Sequence, residues 1–265
     1  MITAAGYIAA ILIGISLGLI GGGGSILTIP VLVYLFGVQP LLATGYSLFI
    51  VGSTSLVGAI KHYRKGNVNI KTALAFSIVS TITVLATRKF LLHIIPDQLF
   101  NMGNYVVTKS LMTMILFAVV MIIAATKMIM GEQPADCPEC ATKLQPGKII
   151  YSGTGIGLLT GLLGAGGGFL IIPALIFLFR LSVKQAIGTS LLIIAINNLL
   201  GFTGDIFHTQ VNWALLLSVT ALAIAGIFIG AKVGEQVKGE KLKKGFGWFV
   251  LVMGIYIIIR ETTGL

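Results

Sequence analysis

The sequence predicts an all-α polytopic membrane protein made of two inverted-topology repeats. Each repeat is expected to hold a re-entrant, glycine-broken helix hairpin followed by three transmembrane helices. Three features carry that expectation: a composition that cannot face water, a segment that recurs 143 residues further along, and an uneven distribution of basic residues between matched loops.

Of 265 residues, 56% are apolar and only 10% are charged, and the mean hydropathy is +1.02. A soluble domain carries about 25% charged residues. The first charged residue is Lys61, and a spanning helix needs roughly 20 apolar residues. This excludes a soluble enzyme, a disordered tail and a disulfide-built scaffold. The apolar runs are continuous, without the alternation of an outer-membrane barrel, so an inner membrane is the expected location. The net charge of +10 comes from basic residues lying between apolar runs. There they read as topology signals and lipid headgroup contacts, not as a nucleic-acid surface. The start, Met1-Ile2-Thr3-Ala4-Ala5-Gly6, lacks the basic region of a cleavable signal peptide.

The chain contains itself twice. Gly18-Leu19-Ile20-Gly21-Gly22-Gly23-Gly24-Ser25-Ile26-Leu27-Thr28-Ile29-Pro30 aligns without a gap on Gly161-Leu162-Leu163-Gly164-Ala165-Gly166-Gly167-Gly168-Phe169-Leu170-Ile171-Ile172-Pro173. From Gly14/Gly157 to Asn69/Asn212 there are 21 identities in 56 positions. Apolar composition alone rarely keeps a proline, a glycine cluster and an asparagine in one register. Two units follow, 1–127 and 149–265, joined by a polar linker over 128–148.

Each unit opens on a segment interrupted by glycines, over 2–37 and 149–180. Three helices follow in each: 41–60, 70–88 and 105–127, then 184–203, 212–231 and 245–260. Between Lys148 and Arg180 lie 31 uncharged residues. A single helix of that length would run about 46 Å, too long for a bilayer core of roughly 30 Å, and two full spans would need about 40 residues. A hairpin of two short helices fits. Glycine costs about 1 kcal/mol per residue inside a helix, so consecutive glycines mark the break. The spaced glycines (Gly14 and Gly18; Gly153, Gly157 and Gly161; Gly226, Gly230 and Gly234) instead fit close helix packing.

Matched loops differ in charge. The loop at 61–71 carries Lys61, Arg64, Lys65 and Lys71, and its counterpart at 204–214 carries no Lys or Arg. Arg180 and Lys184 face an uncharged counterpart at 37–41. The loop at 232–244 holds five lysines, although Arg88 and Lys89 break the pattern in its counterpart. The positive-inside rule then places the units upside down relative to each other, with both termini outside and the 128–148 linker in the cytoplasm.

Inverted repeats with broken helices are the pattern of secondary transporters, with substrate held near the midplane. The first N–H groups of a helix lack intrahelical partners, and the helix dipole makes that end positive. Two such ends, after Gly24 and after Gly167, would form an anion site. All eight acids (Asp97, Glu132, Asp136, Glu139, Asp205, Glu235, Glu240 and Glu261) fall in loops or near helix ends. A cation carrier would normally need intramembrane acids.

Both copies of the Gly-Gly-Gly…Pro segment, with Ala43-Thr44-Gly45-Tyr46-Ser47 and Ala186-Ile187-Gly188-Thr189-Ser190 following, resemble the TauE/SafE sulfite exporter family, also called the toluene sulfonate uptake permease family. The resemblance covers nearly the whole chain. It implies transport of small sulfur oxyanions or sulfonates such as sulfite, thiosulfate or sulfoacetate, without a cofactor. The Cys137-Pro138-Glu139-Cys140 linker is not part of that pattern.

The candidate substrate-binding residues are Gly22, Gly23, Gly24 and Ser25 with Gly166, Gly167 and Gly168, where backbone can approach an oxyanion closely. Thr44, Tyr46 and Ser47, with Thr189 and Ser190, add hydroxyls that could donate to an anion or bond their own helix. Asn197 and Asn198 sit mid-helix opposite Thr54 and Ser55, and could bind substrate or join helices. Lys109 reads as a snorkelling residue. Asp205, His208 and His62 read as loop residues, with protons the candidate coupling ion if they titrate. Cys137 and Cys140 supply only two of the four ligands a structural zinc needs, so no metal is expected. No HExxH or GxSxG occurs, which disfavours an intramembrane enzyme. An anion channel would use the same helix ends and stays open as an alternative.

Overall fold

The computed structural model describes residues 2–22, 24–87, 98–102, 105–130, 146–163, 168–205 and 211–263. The glycine clusters interrupt helix where expected: α1 (Ile2–Ile20) and α2 (Gly24–Phe36) flank the first, α6 (Pro146–Leu163) and α7 (Gly168–Phe177) the second. After the first hairpin come α3 (Pro40–Tyr63), α4 (Ile70–Ala86) and α5 (Lys109–Met130); after the second come α8 (Val183–Asp205), α9 (Trp213–Gln236) and α10 (Gly239–Thr263). One expected boundary is corrected. Residues 105–108 are not the start of a helix but strand β2 (Tyr105–Thr108), paired antiparallel with β1 (Gln98–Met102). The run Val106-Val107-Thr108 is β-branched and favours extended backbone.

Four described helices are long and apolar enough to cross a bilayer: Leu42–Tyr63, Val183–Thr203, Trp213–Gln236 and Gly239–Ile259. Their outer faces, and those of α1 and α4, expose large apolar side chains such as Ile8, Leu12, Ile78, Ile82, Leu217 and Val252. Such a surface suits hydrocarbon and would aggregate in water.

Local backbone chemistry recurs at the 143-residue spacing. Asn69 caps α4 by accepting the Thr72 N–H at 3.1 Å, and Asn212 caps α9 by accepting that of Leu215 at 3.2 Å. Each such cap contributes about 1 kcal/mol. A left-handed residue follows both α2 and α7: Gly37 (φ 67°) directly after α2, and Arg180 (φ 52°) after a short turn beyond α7. The next amide reaches back to its helix, Val38 to the Leu32 carbonyl at 3.0 Å and Leu181 to that of Leu175 at 3.2 Å.

Tertiary contacts come in exchanged pairs. α1 packs along α9, and its counterpart α6 along α4; α3 touches α9 while α8 touches α4. Helices α3 and α8 pack on each other through the centre, and α5 pairs with α10 at the periphery. Small residues permit the closest approaches. A Cβ at Gly18 would lie 2.6 Å from the Ile227 carbonyl oxygen, and one at Gly157 would lie 2.8 Å from that of Ser80. Close backbone approach of this kind drives helix association where no hydrophobic force acts between helices. The spaced glycines Gly14, Gly18, Gly157, Gly226 and Gly230 serve it, while Gly153 makes room for the Val79 side chain.

Basic residues gather at one end. Lys65 forms an ion pair with Glu235 between the end of α3 and the end of α9, and the Lys184 ammonium donates to the Glu235 carbonyl at 3.3 Å. Lys148 donates to the Leu178 carbonyl at 3.3 Å, and the Lys243 ammonium lies 5.5 Å from the centroid of the Phe177 ring.

Candidate functional site at the two helix breaks

The first break is shaped by Gly21. Its φ of +76° lies in the left-handed region that glycine adopts without strain. Its N–H still bonds the Leu17 carbonyl at 2.8 Å, closing α1, and Gly22 bonds Ile20 at 3.1 Å. The chain then starts α2 at Gly24, with the Ser25 hydroxyl donating to the Gly22 carbonyl at 2.7 Å. Tyr7 near the start of α1 meets Phe36 at the end of α2, so the hairpin folds back on itself.

The two breaks meet. A Cβ at Gly168, the first residue of α7, would lie 3.5 Å from the Gly22 Cα and 2.7 Å from Cδ1 of Ile194. Ile194 is midway along α8, so the meeting point is deep within the helices. Ser190 joins it, because a Cβ at Gly21 would lie 2.7 Å from the Ser190 Oγ. That hydroxyl donates to the Ile187 carbonyl at 2.8 Å. The start of α2 also borders Ser16, whose Oγ is 3.1 Å from the Cβ position of Gly24. Of the expected residues, Gly22, Gly24, Ser25, Gly168 and Ser190 therefore surround the two breaks. Gly23, Gly166 and Gly167 lie outside the described residues, as do Cys137, Cys140 and His208.

Three of the other expected residues, Thr189, Tyr46 and Asn197, tie elements together. Thr189 accepts the Asn69 N–H at 3.0 Å, and its counterpart Tyr46 accepts the Asn212 N–H at 2.6 Å. Each tie crosses from one unit to the cap of the other, and the two exchange under the 143-residue shift. Asn197 donates to the Ser80 hydroxyl at 2.9 Å and accepts from Thr81 at 2.8 Å, joining α8 to α4. Asn198 is buried, Ser47 is buried on α3, and Thr44 is partly buried beside it.

Among the described residues, the hydroxyls of Ser16, Thr54, Ser55 and Ser77 are buried without a hydrogen-bond partner, as are both ring nitrogens of His62. An unmade buried hydrogen bond costs about 1–3 kcal/mol, so each hydroxyl is a donor, and the neutral His62 ring one donor and one acceptor, available to a ligand or water. Ser16 and Ser77 were not singled out from the sequence. Their signal is a lone hydroxyl inside an apolar run, which is common in membrane helices and weak by itself.

The family model described as "Sulfite exporter TauE/SafE" matches residues 7–257. A "Probable membrane transporter protein" of Xylella fastidiosa (strain Temecula1) is 31% identical over 261 residues, covering 96% of this chain and 94% of the relative. "Probable membrane transporter protein YdhB" of Bacillus subtilis is 28% identical, covering 93% and 96%. "Probable membrane transporter protein MJ0441" of Methanocaldococcus jannaschii is 24% identical, covering 95% and 94%. No solved structure matches. With the glycine-broken hairpins, the apolar spans and a match over almost its full length, the chain belongs to the TauE/SafE sulfite exporter family of membrane transporters.

Proposed function

We propose that the protein is a secondary transporter of small sulfur-containing anions, such as sulfite, thiosulfate or a sulfonate like sulfoacetate. The anion is held where the starts of α2 and α7 meet, and the two units rock about it in alternating access. One observation carries this reading: the two breaks lie so close that a Cβ added to Gly168 would touch the Gly22 Cα at 3.5 Å, with Ser190 and Ser16 bordering the first break. The first amides of a helix have no partner one turn back and its dipole makes that end positive, so both helix starts favour an anion. The sulfur chemistry rests on the family's description. The units are 1–127 and 149–265, inserted in opposite senses and joined by a cytoplasmic linker over 128–148, with both termini outside. Support comes from the exchanged contact pairs and from the basic residues at one end of the bundle.

Reconstituted vesicles test the reading. Saturable uptake of sulfite, thiosulfate or sulfoacetate with counterflow is expected, and it is abolished by Gly22→Val, Gly23→Val or Gly166→Val in protein that still inserts. Full flux in those variants would remove the site. Unitary currents in place of counterflow would assign an anion channel to the same architecture.

A further inference from the structure

Helices α6 and α7 do not close on each other as α1 and α2 do. A cavity of about 750 Å³ separates them, with α5 as its third wall. Ala124, Tyr151, Gly155, Leu159, Pro173 and Leu178 line it, and the surface is largely apolar. That volume falls within the range of small-molecule sites. Toward the basic end, α5 and Phe177 border an adjoining space of about 430 Å³, lined also by Lys127 and Met130. The Lys148 ammonium sits at the rim, bonded to the carbonyl of the lining residue Leu178 at 3.3 Å. Lys243 adds its charge above the Phe177 ring. Among the described residues, no acid lines either space.

We infer that this groove is a binding site for an anionic phospholipid, with an acyl chain between α6 and α7 and the phosphate against Lys127 and Lys148. The occupant follows from the order of surfaces. An apolar trough inside the bilayer leads to a cationic rim at the helix ends, which matches a lipid with a negative headgroup and mismatches a free ion or a zwitterion. The groove is specific to the second unit. In the first, Gly6 leaves room for the Phe36 ring, whose atoms would lie 2.6 Å from a Cβ there. The counterpart of Gly6 is Ile149, which is buried, and the counterpart of Phe36 is Phe179, which packs on Phe76 instead.

Native mass spectrometry of the full-length protein, released from detergent with phosphatidylglycerol or phosphatidylcholine, tests the assignment. Wild type is expected to retain phosphatidylglycerol in preference to phosphatidylcholine. Lys127→Gln and Lys148→Gln should each weaken that retention roughly fivefold, as expected for one basic residue at an anionic surface. Gly155→Trp should abolish it, because its side chain enters the groove from a position with no neighbouring atom within 4 Å. Leu12→Trp, at the matching place on α1, should leave it unchanged. Equal retention of both lipids, or unchanged preference in the lysine variants, would overturn the proposal. The lysine variants keep it testable if Gly155→Trp does not fold.

Discussion

The two hairpins match in sequence and pack differently. In the first, α1 and α2 close along their length, sealed where Tyr7 meets Phe36 edge to face with ring centroids 5.3 Å apart. In the second, α6 and α7 stand apart around a cavity, and Phe179 leaves its own hairpin to pair with Phe76 on α4 at 6.5 Å. Matched positions in the two hairpins differ in volume: Gly6, where a Cβ would meet the Phe36 ring at 2.6 Å, against the buried Ile149. A repeated backbone plan fixes where helices begin and end, while the volumes of the side chains between them decide whether two of them touch.

The sharpest break in the comparison sets a glycine in the closed hairpin against one in the open hairpin. Gly14→Leu drives a side chain into the Ala223 backbone and should destabilise by more than about 3 kcal/mol, beyond ordinary overpacking. Gly155→Leu meets nothing and should be neutral or stabilising by up to about 1 kcal/mol through helix propensity. Thermal unfolding in detergent separates the two; equal losses would mean that packing against α9 is not what Gly14 provides.

Gly6→Ile recreates the second hairpin's condition in the first. It should expel the Phe36 ring at a cost of about 1–3 kcal/mol. Adding Phe36→Ala, which removes the ring, should make the further loss from Gly6→Ile small in the same melting measurement. An equal loss with and without the ring would break the steric account.

A third pair compares the ends of α2 and α7. Gly37→Arg should cost, and Arg180→Gly should gain, about 1 kcal/mol, because both positions are left-handed and only glycine adopts that backbone freely. The same melting measurement reads both signs. The smallest contrast lies at matched polar positions. Asn197→Leu strands Ser80 and Thr81 and should cost about 0.6–1.7 kcal/mol, the span measured for such bonds between membrane helices. Thr54→Val removes an unpartnered hydroxyl, so it should cost nothing in stability and should lower anion flux only if that hydroxyl reaches substrate.

Much of the candidate site was legible, since consecutive glycines cannot sit quietly inside a helix. Gly22, Gly24 and Gly168 stand at the breaks for that reason. Thr189 and Asn197 were harder. Either could face an anion or another helix, and only the position of Asn69 and of Ser80, more than a hundred residues away, assigns them to helix contacts. The strand at 105–108 escaped notice because a short apolar run suits helix and strand equally.

What the sequence determined alone is whatever composition, propensity and self-similarity can encode: bilayer embedding, the duplicated plan, the interrupted helices and the Asn69 and Asn212 caps. These depend on neighbours within a few residues or on averages over many. Tertiary structure alone decided which glycines face another backbone and which shape a break, and why one hairpin shut while its twin stayed open. Those outcomes depend on contacts between distant segments, as where Phe179 packs on Phe76 of another helix while its counterpart Phe36 stays with Tyr7 of its own hairpin.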